Sequence, residues 1–300
     1  MTRKIFFEKT LKSPVHLSGK GLFTGKETQI TLHPAEIGTG MLFRKVYAGR
    51  TIIIPAQSGQ VHSVTNRNTV LSDGSKEGEI YCVEHLLSAL FGCEVTNVII
   101  EIEGSEVPIM DGSAAPFVQA ILNCGVENQG TEIVPLTFEK PFYWSKGNVH
   151  IIALPSPELR FSYTLSYEGH PLLSSQFFTF LFSENGSSFY ANEIAPARTF
   201  CLYEEAKALL ESGMIPGGTL NCAVVINGEE VINPEGLRFK NEMVRHKILD
   251  MIGDFALLGR PMLGHFIGIR SGHEANATLV KKIVTNMQVP QEEFVEGAYV

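Results

Sequence analysis

Residues 244–255 have the sequence VRHKILDMIGDF, and their spacing predicts a helix with two unlike faces. His246, Asp250 and Asp254 recur every four residues, so at about 3.6 residues per turn they share one polar stripe. The opposite stripe is apolar and contains Val244, Ile248, Met251 and Phe255. On a surface helix the His–Asp pair would be solvated and would contribute about 0.2–0.5 kcal/mol. The alternative is that the polar stripe forms half of a metal site.

A second segment has the same frame as the first. Residues 83–92, VEHLLSALFG, predict another helix, and both segments follow the pattern V-x-H-x6-G. Each helix lies between β-rich runs, such as residues 15–54 before the first helix and residues 263–272 after the second. The sequence therefore predicts a duplicated β–α–β unit and hence two similar halves.

The duplication would place His85 and His246 on equivalent helices. Small residues on the face of His85 would let the second helix come close, and Asp250 would then join the two imidazoles. These small residues are Ser88, Ala89 and Gly92. Two imidazoles and one carboxylate are a familiar ligand set for a catalytic zinc, which keeps a fourth position for water. The same set also suits Fe²⁺.

A catalytic zinc lowers the pKa of its water to about 7, and the reaction then needs a base that does not bind the metal. Glu84 directly precedes His85, so it would project from the neighbouring face of the helix. A Glu-His pair is also common on protein surfaces, and on its own it does not identify a base.

Four further polar residues each have a structural and a functional interpretation. His273, in RSGHEAN, is either a surface or N-terminal-turn histidine or a cation that stabilises an oxyanion or protonates a leaving group. Asp254 is either a solvated acid or the carboxylate that orients His273. Lys247 is either a surface lysine or a phosphate-binding point charge. Thr199 is either a buried strand threonine or a hydroxyl of the site.

Composition restricts the class of protein. The chain has 300 residues, 44% of them hydrophobic and 19% charged, which is typical of a globular protein of about two domains. A net charge of −8 argues against nucleic-acid binding. No apolar run reaches 18 residues and no secretory signal is recognisable, so no membrane span is expected. Five cysteines without a CxxC motif fit a reducing cytoplasm.

The remaining segments predict connecting elements. Residues 126–137 have the composition of a linker, and residues 197–213 predict a strand that leads into a helix ended by Gly213. Residues 222–233 predict a hairpin around Asn227-Gly228, and a final helix is expected from about Glu274.

Several long motifs resemble one family, the UDP-3-O-acyl-N-acetylglucosamine deacetylases of lipid A biosynthesis. The motifs are VEHLLSAL, VPIMDGSAAPF, ARTF, NPEGLRF, VRHKILDMIGD and SGH-x-x-N. The similarity extends in order from LSGKGLFTGKE to RSGHEANATLV. It implies a cytoplasmic zinc amidase with an α+β fold of two similar domains, each a β-sheet packed on helices, with the active site between them. The domains would span residues 1–127 and 128–300.

The resemblance also implies roles for individual residues. The zinc ligands would be His85, His246 and Asp250, and the general base would be Glu84. The remaining catalytic groups would be His273, supported by Asp254, and the hydroxyl of Thr199. Phe200 and Lys247 would contact the sugar nucleotide. An inserted βαβ segment, about residues 201–232, would line an acyl-chain passage with Tyr203, Ala206, Leu210, Leu220, Cys222 and Val225.

Two positions depart from the family pattern. Members usually carry histidine in G-[LIV]-H-[TS]-G, where this chain has Phe23, and an Asp-Phe pair near the nucleotide is replaced by Ser162 and Tyr163. These departures keep open a zinc hydrolase of another N-acyl sugar. A second alternative is a non-catalytic, metal-stabilised binding module. The expected partner is a small molecule, an acylated UDP-amino sugar. The sequence does not set the oligomeric state, and a monomer is the working expectation.

Overall fold

The chain folds into sheets and helices whose bounds define the positions of the site residues. The computed structural model describes residues 5–64, 67–182 and 186–288. The described residues form six α-helices: α1 (Glu84–Gly92), α2 (Ala115–Cys124), α3 (Gly186–Glu193), α4 (Tyr203–Glu211), α5 (Glu242–Ala256) and α6 (His273–Met287). They also form seventeen strands: β1 (Phe6–Leu11), β2 (Val15–Lys20), β3 (Glu27–Pro34), β4 (Met41–Tyr47), β5 (Arg50–Pro55), β6 (Val61–Val64), β7 (Thr69–Leu71), β8 (Val98–Glu103), β9 (Val126–Ile133), β10 (Phe142–Lys146), β11 (Val149–Leu154), β12 (Leu159–Leu165), β13 (Gln176–Leu181), β14 (Phe200–Leu202), β15 (Val224–Asn227), β16 (Glu230–Val231) and β17 (Gly264–Ile269). The α+β class predicted from the sequence is confirmed.

Two five-stranded sheets have the same topology. The first has the strand order β2-β3-β8-β4-β5 and the second has the order β10-β11-β17-β12-β13. In each sheet the third and fourth strands are parallel and the other neighbours are antiparallel. In each half the central strand follows a helix, α1 before β8 and α5 before β17. This shared topology supports the predicted duplication.

Alternation along the strands explains which face of a sheet is buried. Successive side chains of a strand point to opposite faces. In β3, Ile30 and Leu32 are buried whereas Gln29 is exposed, and in β8 Ile100 is buried whereas Glu103 is exposed. The apolar face of each sheet packs against helices, which is the usual way an antiparallel sheet covers one side.

The two equivalent helices α1 and α5 pack directly against each other. Gly253 of α5 makes the approach possible, because a Cβ at this position would lie 2.1 Å from the carbonyl oxygen of Glu84. The prediction that Ser88 and Gly92 face α5 was wrong. The hydroxyl of Ser88 shares a hydrogen bond of 2.8 Å with that of Tyr190 in α3, and a Cβ on Gly92 would lie 2.2 Å from the same ring. The close contact is therefore made by the glycine of α5.

Helix α5 is a core helix, and the alternative of a surface helix was wrong. Of its fifteen residues, only Arg245 and Lys247 are not buried. Its polar stripe and its apolar stripe are therefore both removed from bulk water. A buried carboxylate or imidazole needs a compensating partner, so each polar group of the stripe must be bonded within the protein.

The predicted linker at residues 126–137 is mostly the strand β9, which pairs antiparallel with β1. Few of its side chains are buried, so backbone hydrogen bonds rather than an apolar face hold it in place. Hydrophobic patterning does not detect such a strand. The domain boundary predicted at 127/128 falls inside β9 and stays a prediction, and the outermost residues of both predicted domains lie outside the described ranges.

An additional segment lies between β13 and α5 in the chain. We call residues 200–231, comprising β14, α4, β15 and β16, the insert. Its strands β14 and β15 pair in parallel with α4 between them, and β15 and β16 form the predicted hairpin at Asn227-Gly228. Among the helices of the described ranges, none combines the length and the apolar composition that crossing a bilayer requires.

Candidate active site

The predicted site residues surround one cavity of about 1030 Å³. Its walls come from the first half, from the second half and from the insert. The residues singled out in the sequence that line this cavity are Phe23, Glu84, His85, Tyr163, Thr199, Phe200, Tyr203, Ala206, Leu210, Leu220, Cys222, Val225, His246, Lys247, Asp250 and His273. A cavity between two packed halves is a usual location for a small-molecule site.

The three predicted metal ligands converge in this cavity. One ligand atom each of His85, His246 and Asp250 lies within 4.8 Å of the others, and all three residues are buried. Asp250 Oδ1 lies 3.3 Å from His246 Nε2 and 3.7 Å from His85 Nε2. The two imidazole rings meet edge to face, with their centroids 5.0 Å apart. Residues 161 positions apart in the chain thus form one compact donor set.

The donor set fits a divalent cation. Asp250 Oδ1 is buried and has no hydrogen-bond partner within the described residues, although a buried carboxylate oxygen is expected to have one. A cation between the imidazoles would satisfy it. His246 Nδ1 donates a hydrogen bond to the carbonyl of Ala197 at 3.0 Å, so its Nε2 has no proton and is available as a ligand atom. Burial lowers the pKa of His246 to about 3, which keeps the imidazole neutral.

Glu84 lies in the first turn of α1 beside His85, a predicted metal ligand, and it is buried. Its Oε1 is 3.9 Å from Nε2 of His273. Burial raises the pKa of the Glu84 carboxyl, and this effect outweighs the opposing charges of His273 and His85. A carboxyl with a raised pKa beside a ligand set has the properties expected of a general base.

His273 is the first residue of α6, so it does lie in the N-terminal turn of a helix, but it is only 4% exposed and the interpretation as a surface histidine was wrong. Its Nδ1 donates a hydrogen bond of 2.8 Å to Asp254 Oδ2. Burial lowers the pKa of His273, but the charge and hydrogen bond of Asp254 outweigh burial and raise the pKa to about 10. The imidazole is therefore a cation at neutral pH.

Asp254 is buried, and the interpretation as a solvated acid was wrong. Besides His273, its carboxylate accepts hydrogen bonds from the hydroxyl of Thr69 and the amide of Asn276, both at 2.9 Å. Three donors hold this carboxylate, one from β7 and two from α6. It does not line the cavity itself. Asp254 is therefore placed to orient His273 rather than to touch a ligand.

Thr199 lies just before β14, is only partly buried and lines the cavity, so the buried-strand interpretation was wrong. Its backbone is held from both sides: its N–H donates to the carbonyl of Gly112 at 2.8 Å, and its carbonyl accepts from the N–H of Val224 at 2.7 Å. Gly112 has φ +79°, and a Cβ there would lie 1.9 Å from the carbonyl oxygen of Cys222. A glycine is thus required for the loop that positions Thr199.

Lys247 is not a surface lysine. Its Nζ donates a hydrogen bond of 2.7 Å to Asp250 Oδ2 and lies 5.6 Å from the centre of the Phe200 ring. Burial lowers the pKa of Lys247, but the negative charge of Asp250 outweighs this and the net shift is upward, so the side chain stays charged. Phe200 also faces His246, with ring centroids 6.4 Å apart. Both residues predicted to contact the sugar nucleotide therefore lie directly against the ligand set.

The six predicted passage residues all line the same cavity. Ala206, Cys222 and Val225 are buried. The other three are large side chains more than a third exposed, namely Tyr203 (39%), Leu210 (47%) and Leu220 (41%). Leu210 and Leu220 are therefore not core residues of the insert, whereas Val225 is buried in it. The insert presents an apolar wall that is open to solvent on one side.

The two departures from the family pattern lie in different places. Phe23 lines the cavity, and its N–H donates a hydrogen bond of 2.8 Å to Glu106 Oε1. Ser162 does not line it, because its hydroxyl bonds within the second sheet to His265 and Thr179, each at 2.8 Å. The neighbouring Tyr163 points the other way and lines the cavity. The Ser162 side chain therefore lies on the side of the strand away from the cavity.

Sequence reasoning missed a buried ion pair that positions the site. Arg198 is 1% exposed and Glu242 is 0% exposed. The backbone N–H and the Nε of Arg198 both donate to Glu242 Oε1, at 3.0 and 2.8 Å. The pair joins residues 197–199 to the first turn of α5, one turn before His246. It thereby keeps the Ala197 carbonyl and Thr199 in place. The arginine lies within the motif ARTF, but its partner is 44 residues away and no local pattern identifies it.

Comparisons with known proteins agree with the resemblance noted in the motifs. Residues 8–285 match the model of the family described as UDP-3-O-acyl N-acetylglycosamine deacetylase. The chain is similar to the UDP-3-O-acyl-N-acetylglucosamine deacetylase of Chlamydia muridarum (strain MoPn / Nigg), with 42% identity over 285 residues, 95% of this chain and 97% of that relative. It is also similar to the protein of that name from Geotalea uraniireducens (strain Rf4), with 40% identity over 279 residues, 93% of this chain and 89% of the relative.

Proposed function

Since the chain belongs to the UDP-3-O-acyl N-acetylglycosamine deacetylase family, we propose that it removes acetate from a UDP-3-O-acyl-N-acetylglucosamine by metal-dependent hydrolysis. Membership makes the chain a hydrolytic enzyme, and the alternative of a non-catalytic binding module is set aside. The observation that carries the proposal is the convergence of His85, His246 and Asp250 beside Glu84 and His273 in one cavity.

The metal in this proposal is Zn²⁺, with Fe²⁺ as the alternative, because two imidazoles and one carboxylate suit both ions. When bound, the ion supplies Lewis acidity, which polarises an amide carbonyl and brings the pKa of water to about 7. The chain supplies His85, His246 and Asp250 as its ligands. Lys247 donates a hydrogen bond to Asp250 Oδ2, and the carbonyl of Ala197 accepts one from His246 Nδ1. Such contacts fix the orientation of ligands.

Proton transfer in the proposed reaction uses Glu84 and His273. Glu84 takes a proton from the attacking water as the new carbon–oxygen bond forms at the acetamide carbon. The cationic His273 and the hydroxyl of Thr199 stabilise the negative charge that develops on the carbonyl oxygen. The carbon–nitrogen bond then breaks, and the leaving amine receives a proton from Glu84 or His273. The products are acetate and the free amino-sugar nucleotide.

Substrate binding in the proposal divides between the ligand set and the insert. Phe200 and Lys247 contact the sugar nucleotide next to the reacting amide. The acyl chain lies along the apolar wall formed by Tyr203, Ala206, Leu210, Leu220, Cys222 and Val225. The lining of one cavity by both groups of residues supports this division.

The proposed place of the reaction is lipid A biosynthesis in the cytoplasm, where a UDP-linked sugar is the expected substrate. All five cysteines are free, which fits a reducing compartment. We take the enzyme to act as a monomer. The proposed pathway, compartment and oligomeric state all depend on the proposed activity.

A hydrolase of a different N-acyl sugar remains the second candidate, because Phe23 lines the cavity. A substrate panel separates the two. If the acylated UDP-N-acetylglucosamine is hydrolysed fastest, the first candidate is supported. If an N-acyl sugar without the nucleotide or the 3-O-acyl chain is hydrolysed faster, the second replaces it.

The decisive experiment measures metal content and acetate release on the same protein sample. We expect about one divalent ion per chain and acetate release from UDP-3-O-acyl-N-acetylglucosamine that a chelator abolishes and Zn²⁺ restores. His62→Ala, an exposed histidine outside the cavity, is the matched control and should keep both properties. Acetate release that persists without bound metal would refute the proposal.

A further inference from the structure

Thr69 bonds to Glu84 and to Asp254, the carboxylate that orients His273. It lies in the short strand β7 and is completely buried. Its backbone N–H donates a hydrogen bond of 3.2 Å to Glu84 Oε2, and its hydroxyl donates one of 2.9 Å to Asp254 Oδ1. Glu84 belongs to α1 of the first half, whereas Asp254 belongs to α5 of the second. One residue thus bonds to both halves beneath the cavity.

Each of these hydrogen bonds leaves the other oxygen of its carboxylate for the site. With Oε2 held by Thr69, Glu84 directs Oε1 toward His273 Nε2, at 3.9 Å. With Oδ1 held by Thr69, Asp254 directs Oδ2 toward His273 Nδ1, at 2.8 Å. Holding one oxygen restricts the rotation of the carboxylate. Thr69 therefore constrains both Glu84 and, through Asp254, the ring of His273.

We propose that Thr69 is a positioning residue of the deacetylation, one that sets the relative placement of Glu84 and the Asp254–His273 pair. The inference rests on the proposed function. Thr69 does not line the cavity, so it acts through the other residues and not on the substrate. Misplacing a catalytic group slightly can lower a rate by about 10²-fold, and partners behind a site commonly contribute 10–100-fold.

The central test replaces the hydroxyl while keeping shape and backbone. Thr69→Val keeps the N–H that binds Glu84 and loses the donor to Asp254, and Thr69→Ser keeps the donor. We expect Thr69→Val to lower kcat about 10–100-fold with KM within about twofold and full metal content, and Thr69→Ser to stay within about threefold of the parent. Thr69→Ala, which also lacks the hydroxyl, replaces the valine variant if that variant does not fold.

The matched control is Thr10→Val. Thr10 is also a buried threonine, and its hydroxyl donates a hydrogen bond of 2.8 Å to the carbonyl of Asn97, outside the cavity. The variant loses this bond and also the 2.8 Å hydrogen bond that the hydroxyl accepts from the N–H of Ala35, so it reports on general destabilisation. We expect unchanged kcat in this control. An equal loss of kcat in Thr10→Val and Thr69→Val would mean that Thr69 is merely structural, and it would overturn the proposal.

A double-mutant cycle tests the route through His273. In a His273→Gln background the hydroxyl of Thr69 has no imidazole to position, so Thr69→Val should change kcat by less than about twofold. If the two losses multiply in full, Thr69 acts by another route and the proposal fails. It also fails if Thr69→Ser is as impaired as Thr69→Val.

A spectroscopic arm separates this inference from the proposed function. The hydrogen-bonded Nδ1–H proton of His273, assigned by its loss in His273→Gln, is followed by NMR without substrate. The signal should move in Thr69→Val and stay in place in Thr10→Val, because only the first change removes a hydrogen bond from the Asp254 carboxylate that holds this proton. An unmoved signal in Thr69→Val contradicts the proposal. A parent protein that releases no acetate contradicts the proposed function instead and leaves this measurement valid.

Discussion

Helices α1 and α5 occupy equivalent places in two sheets of identical topology, yet they supply different chemistry. Helix α1 contributes Glu84 and His85 from its first turn, and the rest of it is apolar or small. Helix α5 contributes His246, Asp250 and Asp254 along three turns. Neither helix carries a complete site. The donor set of the proposed cation site therefore forms only because the two halves pack against each other.

The comparison shows what a buried polar stripe requires. On α5 each polar group has a partner: Ala197 for His246, Lys247 for Asp250, and Thr69 for Asp254. The exception is Asp250 Oδ1, which faces the two imidazoles. Burial of unpaired polar groups is expensive, so the remaining unpaired oxygen marks the place where a cation belongs.

The largest expected effect comes from removing one ligand from either helix. His85→Ala and His246→Ala should each lose the bound metal and all turnover above background, because the ion needs ligands from both halves. Metal analysis and acetate release measure this, with His62→Ala as the control. If either variant kept stoichiometric metal and turnover, the ion would not need ligands from both helices.

A smaller effect is expected from a change at Glu84, which precedes His85 in α1. Glu84→Gln keeps the size of the side chain and removes the base, so kcat should fall about 10²–10⁴-fold while the metal stays bound. Metal content and kcat from one preparation provide the test. Full turnover in Glu84→Gln would remove Glu84 from its proposed role without affecting the ligand set.

The equivalent glycines of the two helices should respond differently to alanine. In Gly253→Ala the new Cβ meets the backbone of Glu84, whereas in Gly92→Ala it meets the Tyr190 side chain. Overpacking of this kind costs about 1–3 kcal/mol, and only the first change displaces the residue that carries the base. Denaturant unfolding should show destabilisation in both, and kcat should fall in Gly253→Ala alone. A fall in kcat for Gly92→Ala would show that the helices do not differ in this way.

The smallest effect concerns pH and the start of α6. The pKa of His273 is raised from 6.5 to about 10, so its stabilising contribution is complete below pH 6.5 and is lost as pH rises toward 10. In metal-free protein the unfolding free energy should therefore fall by about 1 kcal/mol per pH unit in this window, and His273→Gln should remove that slope. Denaturant titrations at several pH values measure it. Identical slopes in parent and variant would contradict the cationic state of His273.

Prediction from sequence was most accurate where residue type and helical spacing carry the information. The polar stripe of residues 246, 250 and 254, the shared helix frame and the hairpin at Asn227-Gly228 follow from local patterns. Prediction was wrong for β9, because a strand held by backbone pairing has no apolar signature. It was also wrong for the faces of Ser88 and Gly92, which depend on where Tyr190 lies.

The sequence by itself determined which chemical groups are present: two imidazoles, their carboxylates and an apolar insert, in an order that matches one family. Only the tertiary structure decided which of them meet. Residues distant in the chain decide whether His273 is buried and which way Ser162 faces. They also supply the carbonyl of Ala197 that accepts from His246, and the two carboxylates that bond to Thr69. Side-chain type and periodicity are local properties, whereas burial and hydrogen-bond partners are set by packing between elements.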